Sequence, residues 1–207
     1  MTAELGGPEY LRLARRARLL SWASLGYMVL EGGVAVIAGI VAGSIALIGF
    51  GIDSAIEGFA SVVIVWRFTG SRMLSESAER KAQKLVAIQF FILAPYVGVE
   101  AIRSLINGDR PDESIVGSAL AASSVVVMPL LGRAKQRIGS RIRSSATASE
   151  GKQNLLCAYL AGALLVGLLG NALFGAWWLD ALVALFIGYV AIREGREAWR
   201  GEACCAH

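Results

Sequence analysis

The dominant pattern in the chain is a series of long apolar runs, separated by short segments that carry most of the charge. An α-helix needs roughly 20 apolar residues to cross the hydrocarbon core of a bilayer. Six runs meet or approach that length, which predicts an all-α, polytopic membrane protein with six transmembrane helices. The predicted spans are Leu19–Ala42, Ser44–Trp66, Leu85–Ile106, Ser114–Leu131, Leu155–Phe174 and Trp177–Ile192.

The spans divide the chain into three parts. Residues 1–18 form a basic N-terminal segment, residues 19–199 a six-helix transmembrane domain, and residues 200–207 a short tail. The first two spans meet at Gly43-Ser44, which predicts a tight helical hairpin between them.

The basic residues give the chain an orientation. If the N-terminus lies in the cytoplasm, every Lys and Arg except Arg103 and Arg110 falls on the cytoplasmic side. Basic residues concentrate on that side of membrane proteins, so both termini are predicted to be cytoplasmic. No small-residue cleavage site ends the first span early, and we expect it to be retained. The chain is therefore expected to be a multi-pass protein of a bacterial-type plasma membrane.

Composition excludes several other classes of protein. Of the 207 residues, 56% are hydrophobic and 17% charged, against about 25% charged in a typical globular domain. The net charge of +4 is explained by orientation, so no nucleic-acid partner is expected. Three cysteines cannot form a disulfide framework. A disordered chain, a nucleic-acid module and a disulfide-stapled secreted domain are all excluded.

Asp53 and Glu57 are the strongest candidates for functional residues, because both lie inside the second span. An ionisable group at that depth costs about 2.5–3.5 kcal/mol on insertion scales. Four residues apart, the two carboxylates share a helical face, and they repel unless a cation or proton lies between them. The pair predicts a cation site. The alternatives are a water-filled cavity or a bridge to a basic residue, although no Lys or Arg lies at matching depth in any predicted span.

The fifth span begins with a second polar stripe. Glu150, Gln153 and Cys157 recur at i, i+3 and i+7, and Asn154 is a further candidate beside them. Carboxylate, amide oxygen and thiolate can all bind a divalent cation, and the thiolate favours softer ions such as Zn²⁺ or Cd²⁺. The alternatives are that Cys157 is a small packing residue and that Glu150 is solvated at the membrane boundary.

Two other groups could take part. Glu31 lies in the middle of the first span, one turn from Tyr27. It could carry a proton, or it could contact the residues that bind the metal without binding the metal itself. In the tail, Cys204, Cys205 and His207 could capture a thiophilic cation, or could simply be solvated.

Together the two stripes resemble the metal site of the cation diffusion facilitator, or cation efflux, family. The sequence I-D-S-A-I-E-G-F-A-S, starting at Ile52, is similar to the family's span-two motif, with Glu57 in place of its second Asp. In the fifth span, S-E-G-K-Q-N-L-L-C aligns with the family pattern A-D-A-x-H-x-x-x-D. Gln153 then stands at the usual His and Cys157 at the usual Asp. The resemblance covers about residues 15–200.

The resemblance implies a secondary transporter, not an enzyme, that exports divalent transition-metal cations by proton antiport. Zn²⁺ is the first expectation and Cd²⁺ the next, and no prosthetic group is expected. It also implies a homodimer embedded in the lipid bilayer. The chain stops soon after the sixth span, as in a short form without the family's C-terminal cytoplasmic domain. The metal ligands it implies are Asp53, Glu57, Gln153 and Cys157, with Glu150, Asn154 and Glu31 as secondary candidates.

Two other functions remain open from the sequence. The altered span-five motif is compatible with a non-transporting scaffold or metal-sensing protein that retains the fold. A membrane-embedded enzyme is disfavoured, because no His lies in any span and no nucleophile–base pair is visible. The chain contains no G-x-x-x-x-G-K-[ST] motif, so ATP is not the expected energy source.

Overall fold

A computed structural model describes residues 6–42, 45–108, 115–174 and 179–201. Six long helices occupy these ranges, and the described part of each predicted span lies in one of them. This confirms the all-α prediction. The predicted hairpin at Gly43 and Ser44 lies outside the described residues. The helices are α1 (Pro8–Ala42), α2 (Ile45–Arg67), α3 (Glu76–Asn107), α4 (Ile115–Ile142), α5 (Ser145–Phe174) and α6 (Leu179–Arg200), with a 3-10 turn over Gly70–Leu74.

Five of the six helices are longer than the apolar runs that predicted them. Helix α1 begins at Pro8 instead of Leu19, α4 continues past Leu131 to Ile142, and α5 begins at Ser145 instead of Leu155. Apolar runs mark only the part of a helix at membrane depth, whereas Ala, Arg, Leu and Lys favour the helix on either side of that boundary. The basic segment before Leu19 is therefore continuous with the first helix.

The lengths of the helices match an integral membrane protein. Within the described residues, three segments are both long and apolar enough to cross a bilayer: Pro8–Ala38, Glu76–Asn107 and Ile115–Ile142. Helices α2, α5 and α6 have 23, 30 and 22 residues. At 1.5 Å per residue they too reach across a core of about 30 Å. That all six helices cross stays a prediction.

The helices associate in three close pairs: α1 with α2, α4 with α5, and α3 with α6. Two of these pairs depend on facing glycines. A Cβ on Gly51 of α2 would lie 2.8 Å from the Gly32 oxygen of α1. A Cβ on Gly132 of α4 would lie 2.7 Å from the Gly151 oxygen of α5. Only glycine permits backbones to approach this closely, and dispersion contacts then hold the pair together in lipid.

A polar network joins three helices at the end of the bundle where Arg67, Glu79 and Ser144 meet, which we name the basic end. Nε of Arg67 is 2.9 Å from the Glu79 carboxylate. The same carboxylate accepts hydrogen bonds from the Ala146 amide and the Ser144 hydroxyl, each at 3.0 Å. Glu79 of α3 therefore caps the first turn of α5, where orphan amides and the helix dipole favour an anion.

The glycine contact between α4 and α5 yields a direct test. We expect Gly132→Ala to destabilise the protein by about 1–3 kcal/mol, the usual cost of overpacking, because the added methyl meets the Gly151 oxygen. Gly33→Ala is the matched control, because a Cβ at Gly33 meets nothing within 4 Å. It should be neutral or slightly stabilising. Thermal unfolding in one detergent measures both, and equal melting temperatures would contradict the close approach.

Candidate functional site

Helix α2 presents two carboxylates one turn apart in the interior of the bundle. Glu57 is 2% exposed, and neither of its carboxylate oxygens has a hydrogen-bond partner among the described residues. Oδ1 of Asp53 is likewise buried and unpartnered in the described part of the chain. A buried polar group without a partner costs about 1–3 kcal/mol, and more when it is charged. These oxygens are therefore the candidate ligands for a cation or a proton.

Helix α5 carries a buried polar pair of its own. Gln153 is 1% exposed, and within the described ranges both its amide oxygen and its amide nitrogen lack partners. The side chain of Cys157 is 5% exposed. Its thiol interacts electrostatically with Glu57 and Asp53, but the Glu57 oxygens lie outside hydrogen-bonding geometry to it. The structure thus places Cys157 within electrostatic range of both α2 carboxylates, and it buries Gln153 one turn before Cys157 on α5.

The two pairs occupy equivalent positions relative to the glycine contacts. On α2, Asp53 and Glu57 follow Gly51 by two and six residues; on α5, Gln153 and Cys157 follow Gly151 by the same intervals. A glycine contact sets both the depth and the rotation of its helix. The same spacing after each contact therefore carries both polar pairs to corresponding positions inside the bundle.

Glu31 of α1 is buried at 3% exposure, but its carboxylate is well supplied with donors. It accepts hydrogen bonds from the hydroxyls of Tyr27 at 3.1 Å, Ser54 at 3.3 Å and Ser124. Tyr27 also bonds Ser123 at 2.6 Å. The carboxylate interacts electrostatically with Asp53. Hydrogen bonds to Glu31 therefore join α1, α2 and α4 close to the unpartnered carboxylates.

Glu150 is committed to a different interaction. Its Oε1 lies 2.7 Å from Nζ of Lys135, with both side chains at most 1% exposed. Ser21 donates to its other oxygen at 2.7 Å, and Lys135 donates to Ser24 at 2.6 Å. The amide of Asn154 donates to Ser24 at 3.3 Å. The alternative of a solvated Glu150 is therefore wrong, because the extended α4 carries Lys135 into the bundle beside it.

Lys135 also bears on the predicted site. It was expected to be one of the basic residues outside the membrane, yet it is fully buried and interacts electrostatically with Glu57. Its ammonium is held by Glu150 and Ser24 and makes no hydrogen bond to Glu57. The fixed positive charge of Lys135 reduces the repulsion between the Asp53 and Glu57 carboxylates. It does not donate a hydrogen bond to the Glu57 oxygens.

In the described part of the chain, no three His, Cys, Asp or Glu side chains stand close enough together to hold a metal ion. Asp53, Glu57 and Cys157 interact electrostatically, but they are not gathered around one point. A metal ion at this position would therefore need an amide donor, such as Gln153, or a small closure of α2 on α5.

Sequence reasoning missed Gln89 of α3. Its side-chain nitrogen donates to the carbonyl of Ile56, and its oxygen is buried without a partner among the described residues. The signal was present, since a lone amide interrupts the apolar run of the third span. Lys135 was harder to assign, although Gly132 and Gly139, seven residues apart, continue one close-packed face of α4 past the predicted span.

Beyond the predicted spans, a second ionic cluster joins α5 to α6. Nζ of Lys152 lies 2.6 Å from Glu194 and 2.9 Å from Glu197. The hydrogen bond from Lys152 holds the pKa of Glu197 below its ordinary value. This cluster is structural, because its charges are already paired. The tail residues Cys204, Cys205 and His207 lie outside the described residues.

Comparison with known proteins gives two similarities. A family model described as the cation efflux transmembrane domain matches residues 21–200. An uncharacterized transporter of Synechocystis sp. is 23% identical over 195 residues, which cover 90% of this chain and 63% of that relative. The chain thus spans less than two thirds of the length of the relative it matches.

The buried ion pair on α4 and α5 yields a stability prediction. Lys135→Met should lower the free energy of unfolding by about 3–5 kcal/mol, because it leaves the Glu150 carboxylate buried without its counter-ion. Arg103→Met is the control, since that residue pairs with Glu100 at 3.8 Å on the surface. An exposed pair contributes about 0–1 kcal/mol. Unfolding by denaturant in mixed micelles measures both, and similar losses for the two variants would contradict the assignment.

Proposed function

Because the chain belongs to the cation efflux family, we propose that it exports a divalent transition-metal cation in exchange for protons. The proposed ligands are Asp53 and Glu57 of α2 with Gln153 and Cys157 of α5. Zn²⁺ is the first candidate and Cd²⁺ the alternative. The cation would reach the site from the cytoplasmic side, where both termini and the basic end are proposed to lie, in a plasma membrane of bacterial type.

The observation that carries this proposal is the set of unpartnered oxygens on α2. Both oxygens of Glu57 and one of Asp53 are buried without hydrogen-bond donors in the described structure. Two carboxylates this close cannot both remain ionised in a low dielectric without a compensating positive charge. Lys135 is hydrogen-bonded to Glu150 and Ser24 and offsets this repulsion only in part, so we propose that a metal ion or protons supply the remaining positive charge.

The chemistry of the donors favours a transition metal over a hard alkaline-earth ion. Carboxylate and amide oxygens bind a broad range of divalent cations, whereas a thiolate selects ions such as Zn²⁺ and Cd²⁺. Compared with a site containing His and a second Asp on α5, this site carries less charge and one softer ligand. Preference between Zn²⁺ and Cd²⁺ therefore depends on how strongly Cys157 takes part.

Proton exchange follows from competition for the same atoms. A carboxylate or thiol must lose its proton before it binds a metal ion, so metal binding releases protons and protonation releases metal. If the site opens alternately to the two sides of the membrane, this competition couples the two fluxes in opposite directions. Supporting this, Glu31 lies close enough to Asp53 to interact with it electrostatically. We propose Glu31 as a partner that tunes the carboxylate pair.

We also propose that the transporter acts as a homodimer, as its family resemblance implies. The described helices have the apolar outer faces that contact lipid or a second copy, such as those with Leu30 and Ile106, 71% and 78% exposed. Interactions between small and apolar side chains would then hold the two copies together within the membrane.

A non-transporting scaffold or metal sensor is the second candidate function. It is favoured by the replacement of both usual span-five ligands and by the lack, among the described residues, of three acidic or thiol ligands around one point. The two functions differ in one measurable property. A sensor binds metal without moving it, so metal flux into sealed proteoliposomes separates them.

The first test of the proposal is Asp53→Asn, which preserves side-chain shape and removes the charge. We expect metal uptake into proteoliposomes to fall by at least about tenfold. A ligand matters at least as much as the residues that orient it, whose loss costs about 10–100-fold. Glu100→Gln is the matched control, because this acidic residue of α3 is exposed and should be dispensable. Uptake by Asp53→Asn at the parental rate would refute the site.

The second test asks whether Cys157 is a ligand. If it is, Cys157→Asp should shift preference from Cd²⁺ toward Zn²⁺, and Cys157→Ser should weaken binding of both, because a neutral hydroxyl replaces a thiolate. Cys157→Ala should lose transport while keeping the fold. A packing residue gives the opposite ranking, with Ala and Ser tolerated and Asp harmful through its buried charge. Zn²⁺ and Cd²⁺ uptake by the three variants distinguishes the two roles.

A further inference from the structure

We propose that Gln89 of α3 supplies an additional oxygen ligand to the transported cation, so that three helices coordinate it instead of two. This inference rests on the proposed site at Asp53 and Glu57. It adds a residue that the pattern of acidic and thiol groups does not reveal. The side chain is 2% exposed, and its Oε1 atom has no hydrogen-bond partner among the described residues.

The orientation of the Gln89 amide is determined by its other atom. The side chain approaches the main-chain carbonyl of Ile56. A carbonyl oxygen only accepts hydrogen bonds, so the amide nitrogen must be the atom that faces it. The amide oxygen then lies on the opposite arm of the planar group. Oε1 is therefore the free acceptor, and rotating the amide to hide it would place two oxygens against each other.

Neighbouring contacts place the Gln89 side chain next to the segment of α2 that carries the carboxylates. Ile56 immediately precedes Glu57, so the Gln89 amide lies at the depth of Glu57. Tyr96, seven residues or two turns after Gln89, lies on the same face of α3, and its side chain interacts electrostatically with Asp53. Helix α3 also packs against α5. The face with Gln89 and Tyr96 thus borders α2, the helix that carries Asp53 and Glu57.

An amide oxygen suits this position for a chemical reason. The two α2 carboxylates and the Cys157 thiolate can together carry more negative charge than one divalent cation neutralises. A neutral oxygen adds a ligand without adding charge and without a proton that must leave. With Gln89 the site has four oxygen donors and one sulfur. That composition moves its preference from Cd²⁺ toward harder ions such as Zn²⁺ and Mn²⁺.

The competing interpretation is that Gln89 only braces α3 against the α2 backbone. Two variants separate the roles, because both disturb the bond to Ile56 but change the free donor differently. Gln89→Glu keeps an oxygen and makes it a stronger ligand. Gln89→Met replaces it with a soft thioether. Gln83→Met is the matched control: Gln83 also lies on α3 and donates its amide to a main-chain carbonyl, that of Trp199 at 3.3 Å.

The experiment measures Zn²⁺ and Cd²⁺ affinities of the purified full chain by competition against a chelating dye. We expect Gln89→Met to lower the Zn²⁺-to-Cd²⁺ affinity ratio by about tenfold or more and Gln89→Glu to raise it. Gln83→Met should match the parent. If both Gln89 variants keep the parental ratio and lose only thermal stability, Gln89 is a brace and the inference is overturned.

Two further measurements keep the outcome interpretable. Asp53→Asn tests the proposed site separately: parental affinity there overturns the site itself, whereas lost affinity there with unchanged Gln89 variants overturns only the role of Gln89. The visible spectrum of Co²⁺ bound to the parent needs no variant at all. Five donors predict the weak bands of a five-coordinate ion, and intense tetrahedral bands would exclude a fifth ligand.

Discussion

Direct backbone contact at two pairs of glycines organises the rest of this molecule. Gly32 against Gly51 and Gly132 against Gly151 bring α1 onto α2 and α4 onto α5 at distances that no larger residue permits. Because each contact determines both the depth and the rotation of its helix, the polar residues two and six positions later must face the interior. The candidate site therefore depends on packing, because the rotation of each helix that brings its glycines into contact also turns these polar side chains inward.

Three buried carboxylates show three ways of placing an acid inside the bundle. Glu150 is paired with Lys135 at 2.7 Å, and Glu31 is surrounded by the hydroxyls of Tyr27, Ser54 and Ser124. Glu57 has neither arrangement in the described structure. Burying an unpaired charge is costly. For Glu150 and Glu31, the neighbouring helices provide an ammonium group or hydroxyl groups that offset this cost. The contrast with its two neighbours is the reason for proposing Glu57 as a ligand of a mobile cation.

Whether a feature could be predicted from the sequence depends on which interactions determine it. The six helices and the Asp53–Glu57 face could be read from the sequence, because both depend on hydropathy and helical periodicity along one segment. The Lys135–Glu150 pair could not, since it depends on how far α4 continues beyond its apolar run and on its rotation against α5. Gln89 was missed for a related reason. An uncharged amide costs little in a helix, and only its contact with Ile56 reveals that its oxygen is free.

The three close helix pairs also suggest how cation binding could be coupled to a change of conformation. Asp53 and Glu57 belong to the α1–α2 pair, Gln153 and Cys157 to the α4–α5 pair, and Gln89 to the α3–α6 pair.

Contacts within these pairs are extensive, whereas α2 and α5 touch each other sparingly. Each pair can therefore move as a unit while its internal packing is preserved, as in rigid-body rearrangements generally. A cation bound where the pairs meet would favour the arrangement in which they are closest, and its replacement by protons would remove that preference. The polar contacts of Glu79 and Lys135 hold the pairs together toward the basic end. If the site opens on that side during transport, those bonds would have to break, and their strength would then limit how readily the site is exposed there.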